Sequence, residues 1–521
     1  MLAKVFFAGA LLWLLLLALN LHAQTDTVRI NQEGRILGPL PVVTNSILFD
    51  TSNADAVVSA MQIFPVTNPW NEDVSRLPLL TNSDAMIAQI ITNLTTSRQH
   101  LEVFQEMNFV LVPDTQPLVP INLLLYADQS DLNGGLQTNG VGYGLYPIPT
   151  NQPVEGWPTQ AGTNSLLEWD QIAASNSDAH AIMVQPGAGF SFETWQAQLS
   201  GANWQAANGA IFNLNTNGLR PAGWTSGDAA GLSMFPALVR YDECERGMVE
   251  HAVRMVVRSS RYNDYIYPAT HYAAPSTNTN VNLPAMGQRL RLKAAFNIPA
   301  NWTTEEKALL LGLKKYGGLV ADNGNFFSIS ITPDDRWPAN AFNDIPSIAI
   351  TNFEVVQSTG INGGPRSPGA PAAYAGADQT VLLSQPAQLQ GFVAFSNAPP
   401  AIQWTNYSGP GLVTFGNATL TNTSANFSAP GVYTLELSAA DGAHAVAYSA
   451  VVITVTNGIN LSITAGVTSV NLSWTGGTAP FVVEEANALP ASSWAAVLTT
   501  NGQNVSLPAT SNVEFFRISS Q

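Results

Sequence analysis

The chain has 521 residues, too many for one hydrophobic core, so about three or four domains are expected. With 46% hydrophobic and only 11% charged residues it can bury sizeable cores, which excludes bulk disorder. Its 36 acidic against 20 basic residues give a formal charge of -16. That sign works against nucleic acid and anionic membranes as partners and leaves an extracellular polysaccharide open.

Lys4, the apolar run Val5 to Leu19, and Ala23 before Gln24 predict a secretory signal peptide over residues 1–23, with an uncleaved anchor as the alternative. No later segment is long and apolar enough to span a bilayer, so the mature chain is expected to be secreted, extracellular or on the cell surface, as a monomer. Cys244 is the only cysteine, so no intramolecular disulfide forms. It reads as a small buried side chain on a strand, the other reading being a thiol nucleophile near His251. The 40 Gly and 33 Pro favour many turns and short strands. The fold class predicted is mainly β: an α+β front domain over 24–356 with antiparallel sheets and a few helices, a linker over 357–372, and two β-sandwich modules over 373–456 and 457–521.

Met86, Ile87, Ile90, Ile91 and Leu94 recur at helical spacing, which predicts a helix after an Asn82 or Ser83 cap. Ile121 to Tyr126 is an expected strand. The glycines from Gly134 to Gly144 mark a loop, and no Gly-Lys-Ser/Thr makes it a phosphate loop. Tyr146-Pro-Ile-Pro and Pro153-Val-Glu-Gly-Trp-Pro predict a rigid, aromatic-lined loop around Glu155. Strands are expected from Ala179 to Gln185 and Ala210 to Leu214. Leu238 to Glu243 and Val249 to Val257 are expected to pair as a hairpin with Gly247 in its connection. Arg289, Arg291 and Lys293 alternate on one face of a strand. Thr303-Thr-Glu-Glu-Lys opens a helix from Thr304 to Tyr316, with Leu309, Leu310 and Leu313 as its stripe and Gly317-Gly318 at its end. Leu319 to Gly324 and Phe326 to Ile331 predict a strand, turn and strand around Asp322-Asn-Gly.

Ala375-Gly-Ala-Asp-Gln-Thr, Ile402-Gln-Trp, Ser408-Gly-Pro-Gly-Leu-Val-Thr-Phe and Phe427-Ser-Ala-Pro-Gly-Val-Tyr resemble a polycystic-kidney-disease-type (PKD-like) immunoglobulin module over residues 373–456. Trp404 is its expected core tryptophan, and Tyr433, Leu435 and Leu437 alternate on one buried face. Residues 457–521, with Trp474, Trp494 and Phe515-Phe-Arg, resemble a fibronectin-type or related sandwich. The front domain resembles a group of secreted bacterial proteins with similar Gly-Trp-Thr-Ser-x-Asp-Ala-Ala-Gly, Leu-Val-Arg-Tyr-Asp-Glu and Ala-Asp-Asn-Gly segments. That likeness implies domain extent and export only. PKD-like modules commonly trail extracellular polysaccharide-degrading enzymes and peptidases.

The stretch from Trp224 to Lys293 concentrates ionisable groups: Asp228, Arg240, Asp242, Glu243, Glu250, His251, Arg254, His271, Arg289, Arg291 and Lys293. Glu155, between Pro153 and the aromatics Trp157 and Tyr146, would have its charged form desolvated, as a general acid needs. The competing reading is a loop carboxylate that binds backbone amides. Glu243 and His251 would face each other across the hairpin as a proton-transfer couple or as a salt bridge. His180 and His271 add two more imidazoles, but no His-x-His or His-x-x-x-His spacing occurs, and no metal is assigned. Asp228 sits in a tight loop and Asp322 in a turn, each a reserve carboxylate or a turn stabiliser. Arg289 and Arg291 would hold an anionic sugar or pair with acids on a neighbouring strand. Asp334-Asp335 would bind a structural calcium or cap a loop.

These residues predict a secreted glycosidase. Glu155 and Glu243 form its carboxylate pair, Asp228 and Asp322 stand in reserve, and His251 modulates. Tyr146, Trp157, Trp224, Tyr241, Arg289 and Arg291 bind the glycan. The alternatives are a polysaccharide lyase acting on uronates and a non-catalytic glycan-binding or adhesion protein.

Overall fold

The computed structural model describes residues 28–158, 167–173, 178–360, 363–365, 369–396, 398–477, 479–491, 493–509 and 514–520. The signal peptide expected over 1–23 lies outside them, as does part of the expected linker. The protein is mainly β, with many antiparallel strand pairs and a few short helices. One compact unit is built from Arg29–Ala370, another from Pro371–Ala440 and the chain from Ala447 onward.

A six-stranded sheet anchors the front unit, in the order Phe353–Val355, Arg289–Leu292, Gly318–Asn323, Val253–Val257, Phe327–Ile331 and Leu101–Gln105. Val253–Val257 runs parallel to Gly318–Asn323 and antiparallel to Phe327–Ile331. It therefore separates the two strands that sequence pairs around Asp322, and Asp322-Asn323 is not a hairpin turn. The physical reason is that Val253–Val257 is apolar on both faces except at Arg254, which suits an interior place in a sheet covered on both sides.

The expected hairpin before it is also absent. Tyr241–Arg246 is a helix, closed by Gly247 at φ 90°. Acids in its first turn, the Asp242–Arg246 pair and the left-handed glycine cap make helix the better local solution. Cys244 is fully buried on this helix and not on a strand. Thr304–Lys315 forms as expected, with a capping box between Thr303 and Glu306. Its Leu309, Leu310 and Leu313 are fully buried, each burial contributing about 2 kcal/mol. Gly312 lets Val249 approach: a Cβ there would lie 2.7 Å from its carbonyl oxygen.

Two five-stranded sheets enclose a second core around Tyr146, Met183, Phe192 and Trp204. One carries Ala181–Gln185 and Phe190–Trp195, the other Val119–Leu123 and Val141–Tyr146. The glycine-rich stretch expected as a loop is instead a hairpin, Leu136–Thr138 against Val141–Tyr146. Its turn is Asn139-Gly140, both at positive φ, as a type I′ turn requires.

The tail unit holds two immunoglobulin-like β-sandwiches. In the first, Trp404, Tyr433, Leu435 and Leu437 form the core, and the Tyr433 hydroxyl donates to the Ala429 carbonyl at 2.8 Å. In the second, two three-stranded sheets enclose Leu472, Trp474, Phe481, Val483 and Leu507.

Candidate functional site

Arg254 is the lone charge on the buried strand Val253–Val257, and a buried guanidinium must find partners. It finds two carboxylates. Its Nε donates to Asp228 Oδ2 at 2.9 Å and its Nη2 to Asp228 Oδ1 at 3.0 Å. The same Nη2 donates to Asp322 Oδ2 at 3.0 Å. Burial works against the guanidinium's charge, but Asp228 and Asp322 outweigh it and raise its pKa.

Local structure brings the two acids together. Between Met255 and Val256 the parallel register slips by one residue, and Ala321 is left without a partner in that pairing. Its carbonyl is free to accept a 2.9 Å hydrogen bond from Ala230, which ties the Asp228 loop to the strand that carries Asp322. Within that loop Asp228 N–H donates to Ser226 Oγ, whose hydroxyl donates to the Leu232 carbonyl. Gly231, at φ 71°, is required there, because a Cβ would lie 2.1 Å from Thr270 Oγ1.

A second buried pair braces the loop from behind. His180 Nδ1 donates to Glu155 Oε2 at 2.7 Å and Nε2 to the Gly227 carbonyl at 2.8 Å. With both ring nitrogens donating, the ring is an imidazolium. Burial opposes that charge, yet Glu155 more than offsets it and holds the His180 pKa up at about 9. Burial likewise pushes the Glu155 carboxyl up, but His180 and then Arg254 outweigh it and leave it below its ordinary value. Arg254 Nη1 also donates to Ser330 Oγ, which donates to Glu106. Burial, then Glu155, raises the Glu106 pKa.

Asp228 and Asp322 border a cavity of about 240 Å³ that also meets Tyr126, Asp178, Trp195, Ser226, His271 and Asn323. The Tyr126 and Trp195 rings lie 6.1 Å apart, inclined by 32°. Trp195 Nε1 donates to Asp178 Oδ1 at 3.2 Å. The Asp322 carboxyl is pushed up to about 7, chiefly by burial, with Asp228 and Asp178 adding to it against Arg254. A carboxyl that keeps its proton near neutrality beside a second carboxylate can perform general acid chemistry.

The pairing expected between Glu155 and Glu243 is corrected. Glu155 belongs to the His180 brace, whereas Glu243 sits in a different cluster. Arg240 Nη2 meets Glu243 at 2.8 Å and His251 Nε2 meets it at 3.1 Å. Burial pushes the Glu243 carboxyl up, but Arg240 and His251 overcome that and hold it down at about 2. His251 Nδ1 donates to the Ala252 carbonyl. The space beside this cluster is about 30 Å³, room for a water and no substrate.

The expected binding aromatics do not line the Asp228–Asp322 cavity. Tyr146 is fully buried and donates to the Asp131 carbonyl. Trp157 meets Phe49 edge-on at 5.9 Å. Trp224 lies beside the Arg220 guanidinium, and Tyr241 lies under that of Arg336 at 4.1 Å. The expected anion row is also spent. Arg289 is fully buried, donating to the Tyr316 and Pro69 carbonyls. Arg291 meets Glu354 on the neighbouring strand at 2.7 Å. Asp334 is taken by Arg336.

Sequence reasoning missed Tyr126, Asp178, Trp195 and the role of Arg254. Only Arg254 left a signal, as a charge inside an apolar strand pattern.

No family model matches the chain, and no curated protein matches it. Among solved structures, domains A168–A170 of titin are 16% identical, covering 33% of this chain and 70% of that one, at TM-score 0.17. The fibronectin(III)-like modules of Clostridium thermocellum CbhA are 12% identical over 29% of this chain and 82% of that one, at TM-score 0.16. Beta-glucuronidase 3 of Bacteroides uniformis is 10% identical over 37% of this chain and 31% of that one, at TM-score 0.12. TM-scores of this size fix no overall superposition. The sandwich assignment rests on the sheets and cores described above.

Proposed function

We propose that the front unit is an exported glycan-active hydrolase working at the Asp228–Asp322 cavity. One observation carries the reading: a buried and a half-buried carboxyl share one guanidinium nitrogen beside an aromatic-flanked cavity, and the half-buried one holds its proton near neutral pH. Asp322 is the general acid and Asp228 the second carboxylate. Two oxygens each 3.0 Å from one nitrogen can be no further apart than those two bonds laid end to end. That limit falls short of the wider separation that inverting glycosidases use, about 6.5 Å or more, and so favours double displacement with retention. The Tyr126 and Trp195 rings suit the apolar face of a sugar. Export rests on the sequence of residues 1–23.

The test is release of reducing ends from a panel of neutral and charged glycans, with the anomer of the first product read by proton NMR. No release from any glycan, from protein that is folded, would end the hydrolase reading.

A second reading is a glycan-binding pocket without turnover. It is favoured by one feature: both oxygens of Asp228 are already held by Arg254. The lyase reading has lost its cation row, since Arg289 and Arg291 are committed elsewhere.

A further inference from the structure

We propose that the glycan taken by the Asp228–Asp322 cavity carries free, protonated amino groups, as a polymer of non-acylated amino sugar does; this rests on the glycan reading above.

The charge balance at the cavity is one-sided. Asp178, Asp228 and Asp322 all border it; with Asp322 holding its proton, Arg254 offsets Asp228 and the charge of Asp178 remains. Asp178, at the exposed rim, forms no ion pair among the described residues, and its carboxylate accepts from the neutral indole of Trp195. At Asp322, burial raises the carboxyl most and Arg254 opposes it, while Asp228 and then Asp178 add to the rise. A cation that enters relieves this repulsion, and a uronate worsens it.

The hydrogen-bonding character of the wall has the same bias. The Ser226 hydroxyl donates to the Leu232 carbonyl and that of Thr225 to the Asp228 carbonyl. Their protons are spent; Ser226 Oγ already accepts from the Asp228 N–H and keeps one lone pair, and Thr225 Oγ1 adds its own. His271 Nδ1 donates to the Ala229 carbonyl, so in the neutral ring the other nitrogen is an acceptor. Asn323 gives an amide hydrogen to the Ala273 carbonyl, and its buried Oδ1 has no hydrogen-bond partner among the described residues. A wall of acceptors recognises a ligand rich in donors, and an ammonium group offers three. The neighbouring Tyr126 and Trp195 rings add the face that attracts organic cations.

The full mature chain is titrated by calorimetry at mildly acidic pH with hexamers of glucosamine, N-acetylglucosamine, β-linked glucose and lysine, each also assayed for cleavage. The expected result is that the glucosamine hexamer binds about tenfold tighter than the two uncharged sugars, a preference that Asp178→Asn reduces severalfold. Asparagine keeps an acceptor for Trp195, so the variant removes charge and little else. Equal or tighter binding of an uncharged hexamer, with cleavage intact, overturns this inference and leaves the hydrolase reading standing. Lysine hexamer binding as tightly as glucosamine hexamer also overturns it, because charge alone would then suffice. Failure of every sugar to bind or to be cut removes the glycan reading itself.

Discussion

Asp228 and Asp322 meet on a single nitrogen of Arg254, each at 3.0 Å. Neither acid lies near the other in sequence, and each would be costly to bury alone. The shared guanidinium makes the burial of Asp228 tolerable, and both acids border the cavity.

Replacing Asp322 by Asn keeps an oxygen for Arg254 but removes the proton donor. Activity on a cleaved glycan is expected to fall by about a hundredfold or more, the usual contribution of general acid catalysis. Thermal unfolding is expected to shift little, since the ion pair with Asp228 is retained. A variant that turns over within a factor of about two of the parent would remove Asp322 from the chemistry.

Stability should fall as pH rises across the neutral range. Folding lifts the Asp322 pKa from 3.8 to about 7, so between those values the native state holds a proton that the unfolded chain has lost. His180 is lifted from 6.5 to about 9, so its contribution is complete below 6.5 and is lost as pH climbs through 9. Each group contributes a slope of up to about 1.4 kcal/mol per pH unit within its window. Denaturant melts from acid to alkaline pH should show the decline. Asp322→Asn should flatten its lower part and His180→Gln its upper part. At the acid end the sign reverses, because the folded-state pKa of Glu243 is lowered from 4.5 to about 2 and stability is lost as pH drops through that range.

How much of this was legible in the sequence depended on whether a feature is local. The helix from Thr304 carries its own cap and stripe, and the sandwich around Trp404 carries its own alternation, so both read correctly. The Asp322 turn misled because hairpin chemistry is a local prior. A strand from elsewhere, Val253–Val257, took the place between its two arms. Tyr241–Arg246 misled differently: alternation suggested a strand, while the acids at its start and Gly247 after its end were helix signals outweighed too readily. The site itself depends on which distant carboxylates share a cation. Spacing along the chain carries no trace of that choice between Glu243 and Asp322 as the partner acid.

Arg289 should matter for folding and not for affinity. It is fully buried among backbone carbonyls, and burial pulls its pKa down to about 10. Its Nε has no hydrogen-bond partner among the described residues, which makes the site costly even in the parent. Arg289→Met takes a donor from the Tyr316 and Pro69 carbonyls, and a loss of about 2 to 4 kcal/mol in urea unfolding is expected. The KM for any cleaved glycan should stay unchanged. A raised KM with parental stability would restore Arg289 to the binding surface.

Glu243 gives the sharpest contrast with Asp322. Its carboxylate is held by Arg240 at 2.8 Å and His251 at 3.1 Å, with its side chain 2% exposed. Glu243→Gln keeps the shape but leaves the Arg240 charge in a buried cluster short of one negative partner, and breaking a buried pair this way costs about 3 kcal/mol or more. The same change should leave kcat within about twofold, because the space beside the cluster among the described residues is about 30 Å³, too small for a sugar. Unfolding curves and turnover measured on one preparation separate the two effects. Lost activity at parental stability would return Glu243 to the reaction and move the catalytic site to this cluster. Lost stability at parental activity would fix it as the residue that ties the short helix Tyr241–Arg246 to His251.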